Sequence, residues 1–105
     1  MAKLIKYTEW NDGQLHFDEL PLWAVEQVEP QNGTDFSLKE LRGFIGGHIE
    51  IVPLTKNRLM IVDEEGKLKG LPLNPMATKI YDEESFCVAD IIVGNALICK
   101  RSEVR

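Results

Sequence analysis

The chain has 105 residues, 44% hydrophobic and 28% charged, a composition that fits a single folded domain and excludes a globally disordered or low-complexity protein. Seventeen acidic residues against twelve basic ones leave a net charge of −5. That is the wrong sign for a surface that must neutralise phosphates, so direct nucleic-acid binding is disfavoured and a basic protein partner is electrostatically easier.

The longest apolar runs, Ile91–Val93 and Ala96–Cys99, are strand-sized and far short of the ~18 residues of a membrane span. Tyr7-Thr8-Glu9 follows the basic N-terminal start at once, so no signal-peptide core develops. The expected compartment is the cytoplasm. Two cysteines, Cys87 and Cys99, do not make a secreted disulfide framework. Their apolar neighbours point to buried free thiols.

In chain order, Lys3 to Thr8 alternates as a first strand, and Asn11-Asp12-Gly13 is a turn from which Gln14 to Phe17 can pair back. Trp23 to Val28 reads as a strand ending at Pro30, and Asn32-Gly33 as a turn. Ser37 and Glu40 have the spacing of a capping box, with Phe36 and Leu41 placed as a hydrophobic staple. Leu38, Leu41, Phe44 and Ile45 form one helical face, and Gly46-Gly47 stops the helix. His48 to Leu54 and Arg58 to Asp63 are strands joined by Thr55-Lys56-Asn57. They are apolar on both faces, as in central strands, although Pro53 belongs at an edge or bulge.

Glu64-Glu65-Gly66 predicts a tight turn and Lys67 to Leu71 a short returning strand. Asn74 and Pro75 start a second helix, expected over 75–81, with Asp82-Glu83-Glu84 opposing the helix dipole and fraying its end. Ala89 to Val93 and Ala96 to Lys100 are expected to form a last hairpin about Gly94-Asn95. The fold class is therefore α+β: a mixed, mainly antiparallel sheet or partly closed small barrel of about five to seven short strands with two short helices.

No arrangement of catalytic residues emerges, so the expected function is non-enzymatic. His16 and His48 stand in separate strands with no H-x-x-x-H or C-x-x-C, so neither a metal nor another cofactor is expected. Cys87 and the serines Ser85 and Ser102 lack the context of an activated nucleophile. Neither a calcium loop nor a phosphate loop is present. The two acidic triplets, Asp63-Glu64-Glu65 and Asp82-Glu83-Glu84, sit at predicted turns where water keeps them ionised. On one face they would suit a basic groove, which makes Glu64, Glu65, Glu83 and Glu84 candidate partner-binding residues. Trp10 and Trp23 are either core cover or exposed anchors. Lys100-Arg101 with Arg105 reads as a solvated basic tail.

The run Asn32 to Leu41, the segment Gly46 to Val52, then Met60 to Asn74, Ala77-Thr78 and Ile91 to Leu97 resemble a small family catalogued as domain of unknown function 3846. The resemblance covers about residues 25–100 of a single domain 1–105, with 1–24 as an N-terminal hairpin extension. It implies a phage or mobile-element origin in a bacterial host, and it supplies no active site. By that association the expected function is occupation of a host defence protein, of the restriction or CRISPR kind, through protein–protein binding. The alternative is a small-ligand binder, a homo-oligomer enclosing a nucleotide signal with Arg42, Arg58 and Lys69 at its phosphates.

Overall fold

The computed structural model describes residues 2–5, 25–85 and 90–104. Five strands, β1 (Ala2–Ile5), β2 (Val25–Val28), β3 (Ile49–Pro53), β4 (Arg58–Asp63) and β5 (Ala96–Lys100), form one sheet in the order β2-β1-β5-β4-β3. Every strand pairing is antiparallel. Among the described residues the sheet is open, with β2 and β3 as its edges, and does not close into a barrel.

The sheet separates two cores, each covered by one helix. On one face Leu4, Leu59, Ile61, Leu97 and Cys99 pack with Leu41 and Ile45 of α1 (Leu38–Ile45). On the other, Ile5, Val52, Met60, Val62 and Ile98 pack with Ala77 and Tyr81 of α2 (Pro75–Glu84). The pleat explains the partition, because alternate residues of each strand point to opposite faces. β5 lies between β1 and β4, so Ala96, Leu97, Ile98 and Cys99 are all buried. A short continuous apolar run is the signature of a strand covered on both sides.

The caps form as the sequence predicts. Ser37 Oγ accepts from the Glu40 amide (3.2 Å), and the Ser37 amide donates to Glu40 Oε1 (3.0 Å). Gly46 takes the left-handed stop, with φ 88°, and its amide donates to Arg42 O (2.7 Å). Asn74 caps α2 through the Ala77 amide (3.2 Å), with Pro75 in its first turn. Leu38, by contrast, is half exposed and falls off the buried stripe. Side chains lean toward the helix N-terminus, so a first-turn residue overhangs the end of the packed surface.

Several expectations are corrected. Among the described residues β3 is an edge strand rather than a central one, and Pro53 sits near its end, just before the Leu54–Ser85 bridge. Residues 64–70 are consecutive turns, so Lys67 to Leu71 is not a strand. Residues 90–93 form no strand beyond one bridge, Leu73 to Val93, and β5 pairs with β1 and β4 instead of closing a local hairpin. α2 continues to Glu84 rather than fraying after Tyr81, because Arg58 and Thr55 hold the Glu84 carboxylate. Lys100 and Arg101 are exposed as expected of a solvated segment, but their backbone is tied down. Arg101–Glu103 make a 3-10 turn, the Arg101 amide donates to Asn57 O (2.9 Å), and Val104 bridges Phe36. The expected strand Gln14 to Phe17, and Trp10, Trp23, His16, Cys87 and Arg105, lie outside the described residues.

Candidate functional site

The outer edge of β3 is where the described fold leaves backbone unpaired. Leu54 donates to Arg58 O (2.9 Å) and Glu64 donates to His48 O (2.9 Å). With Val52 opposite Met60 and Glu50 opposite Val62, the even-numbered residues face β4. Ile49, Ile51 and Pro53 therefore turn their backbone groups outward. No described strand lies beyond Ile49 and Ile51, whereas past Pro53, which has no N–H to offer, the same side is taken by the Leu54–Ser85 bridge, with the Thr55 amide donating to Glu84 O (3.0 Å).

Beside this edge runs an open groove of about 320 Å³. Val52, Val62, Tyr81 and Ile92, all nearly inaccessible, make its apolar floor. Ile51, Leu68 and Ile91 contribute to its lining and are 45, 88 and 50% exposed, a concentration of uncovered apolar surface. Glu50, Glu64 and Asp90 bring carboxylates to the same groove, and Lys67 brings the balancing ammonium, which pairs with Asp90. Glu50 and Glu64 carry no salt bridge among the described residues.

Asp63 anchors the wall. Its Oδ2 meets Lys69 Nζ (2.7 Å) and its Oδ1 accepts from the Glu65 amide (2.8 Å). Burial pushes the Asp63 carboxyl up, but the Lys69 ammonium and the Glu65 amide outweigh it and hold it below its ordinary value. A Cβ at Gly47 would stand 2.5 Å from Lys69 Nζ and 3.1 Å from Asp63 Oδ2, so a side chain there would push the lysine end aside. The Arg58 guanidinium likewise holds the Glu84 carboxyl low, helped by the Thr55 hydroxyl against the effect of burial.

Both carboxyls have folded-state pKa values below their unfolded ones, so each contributes stability that is fully present above the unfolded value. That stability is lost as pH falls through the folded value. Thermal unfolding is thus expected to be insensitive to these groups near neutral pH and to weaken as pH drops below the ordinary values of 3.8 for Asp63 and 4.5 for Glu84. Glu84→Gln should flatten part of that acid limb. An unchanged limb in Glu84→Gln would show that its pairing with Arg58 adds nothing.

The sequence-derived site residues are distributed unevenly. Glu64 lines the groove, while Glu65, exposed in the same turn, is not part of its lining. Glu83 is exposed in the last turn of α2. Glu84 is only 21% exposed and engaged with Arg58 and Thr55, so it is not a solvated turn carboxylate. Glu50, Asp90 and the apolar floor were not singled out by sequence reading. The exposed Glu50 amid the apolar residues of β3 was the available signal.

Cys99 is a buried free thiol whose pKa burial pushes up to about 11, which makes it a poor nucleophile. Among the described residues no three side chains of metal-ligating type converge, and no helix is long and apolar enough to cross a membrane.

The family model described as a domain of unknown function (DUF3846) matches residues 22–104, extending the resemblance read from the sequence at both ends. No curated protein and no solved structure matches the chain.

Proposed function

We propose that this chain, which belongs to the family of the domain of unknown function DUF3846, is a non-enzymatic binding domain that receives a basic, apolar segment of another protein. The observation that carries this reading is an apolar groove rimmed by Glu50 and Glu64, which make no salt bridge among the described residues, beside the stretch Ile49–Ile51 along which no described strand pairs on the outer side. An extended segment laid along β3 would take main-chain hydrogen bonds from Ile49 and Ile51, the mode known as strand addition. Its apolar side chains would cover Ile51 and Ile91, and its basic ones would meet Glu50 and Glu64. The net charge of −5 favours such a partner at long range.

A host defence protein fits this chemistry. A nuclease is basic where it holds phosphates, and an acidic binder can occupy that surface without any reaction. The phage or mobile-element setting and the bacterial cytoplasm belong to the same proposal.

Native mass spectrometry of the full chain, purified gently from its own host, tests the reading. A stoichiometric protein partner is expected with the unaltered chain and is expected to be lost in a Glu50→Lys/Glu64→Lys variant. Glu65→Lys/Glu83→Lys, outside the groove, provides the control for charge alone. Retention of the partner by the groove variant would rule out the groove as the interface. A bare oligomer carrying extra small-molecule mass would replace the reading with ligand binding.

A further inference from the structure

A second, chemically opposite cavity lies where the β3–β4 turn meets the C-terminal end of β5. It measures about 330 Å³ and is bounded by Lys56, Asn57, Arg58, Lys100 and Ser102. Three of these five are cations, and among the described residues no carboxylate and no apolar residue lines the space. The tertiary fold alone assembles it, since Lys56 and Lys100 are far apart in sequence.

Two features of this cluster are costly unless something compensates them. Arg58 and Lys100 are direct partners across the β4–β5 ladder. Like charges in that position repel. Glu84 answers Arg58 through a guanidinium nitrogen and also feels the Lys56 charge, and Glu103, which accepts from the Lys100 amide (2.9 Å), is drawn down in part by the Lys100 charge. Arg58 Nε remains buried with no hydrogen-bond partner among the described residues. The second cost is in the backbone. Lys56 and Asn57 both have positive φ, 59° and 62°. Asn tolerates this region, whereas a lysine there is uncommon and strained. A turn needing only geometry would take Asn-Gly. A cation kept in a strained position beside two further cations points to a role for its charge.

We propose that this cavity binds the phosphate of a small phosphorylated ligand. Lys56 and Lys100 supply the charge, joined by Arg58, which they share with Glu84, and Asn57 and Ser102 supply the neutral polar groups. With three cations at its rim, the cavity recognises the anionic group rather than the body of the ligand. The site is separate from the acidic groove and does not depend on its assignment.

The test is a titration of the full chain, isotopically labelled, with inorganic pyrophosphate and with ADP, followed by backbone amide shifts. Saturable shifts at Lys56, Asn57, Arg58, Lys100 and Ser102, with a dissociation constant of roughly a millimolar or tighter, are expected. Lys100→Gln should weaken binding about tenfold. Lys56→Gly relieves backbone strain, so it should bind about tenfold more weakly while being more stable, which separates loss of the site from loss of the fold. Lys39→Gln, which removes an exposed cation on α1 away from both cavities, should bind as the unaltered chain does. No saturation at these amides, or unimpaired binding by Lys56→Gly and Lys100→Gln, would overturn the proposal. So would displacement of pyrophosphate by single-stranded oligonucleotides with affinity rising with length, because the cavity would then belong to a nucleic-acid track.

Discussion

Replacing Asn74 by alanine is expected to destabilise the fold by about 3–5 kcal/mol, a large part of the ~5–15 kcal/mol that holds a typical domain together. Asn74 is 1% exposed and uses its whole side chain. Its Oδ1 caps α2 through the Ala77 amide, while its Nδ2 donates to Ile5 O (3.0 Å) and Gly94 O (2.8 Å). The lost cap accounts for about 1 kcal/mol. Ile5 O and Gly94 O, each losing this donor, cost about 1–2 kcal/mol each.

Urea unfolding followed by circular dichroism measures the effect. A loss of only about 1 kcal/mol would mean that Asn74 is a cap and nothing more. Asn74→Asp sharpens the distinction, because it retains the cap but points a carboxylate at two carbonyl oxygens. Its folded-state pKa should be raised, so the variant should be most stable below the unfolded value and weaken as pH rises through the folded one.

Phe36→Ala is expected to cost about 3–5 kcal/mol, in the usual range for emptying a large aromatic site. Phe36 is fully buried and meets Phe44 edge-on, with ring centroids 5.8 Å apart and planes at 83°. It also lies at a junction. Its amide donates to Glu103 O (2.7 Å) and its backbone bridges Val104, so the same residue seats α1 on the sheet and ties down the C-terminal turn. Phe36→Leu, which conserves most of the volume, should cost less than about 1.5 kcal/mol. The urea midpoint distinguishes the two, with the slope unchanged if the unfolded state is unaffected. Equal losses for Ala and Leu would indicate that the aromatic pairing, rather than the filled volume, is what Phe36 provides.

The local elements were largely legible because their signals are local. Ser37 and Glu40 reach only across one helical turn, and Gly46 stops α1 through its own backbone freedom. The span of β4, Arg58–Asp63, follows from an apolar run bounded by a turn. Failures occurred where the partner was distant. The last expected hairpin placed β5 beside residues 89–93, because the Gly94-Asn95 signal is local and strong. The sheet instead seats β5 between β1 and β4. There its two apolar faces are covered by both helices, which a two-stranded hairpin could not do. The length of α2 was misread for the same kind of reason. Dipole repulsion at Glu84 is a local term, and the cation that cancels it is supplied by Arg58 from β4.

The candidate sites follow this division. Glu64 was accessible to sequence reasoning as part of an acidic run. The groove was not, because Val52, Val62, Tyr81 and Ile92 come from separate elements and share a surface only after the sheet forms. The cationic cavity was less visible still, since Lys100 read as the start of a solvated tail until the 3-10 turn and the Arg101–Asn57 bond folded it back.

The sequence by itself determined the α+β class, the family, both helix starts, the first helix stop and the acidic balance, since each rests on composition or on interactions spanning a few residues. Only the tertiary structure decided the strand order, the edge position of β3, and the separation of an acid-rimmed groove from a basic cavity. Those properties depend on which distant residues become neighbours, and that is settled by covering both faces of β5 at once.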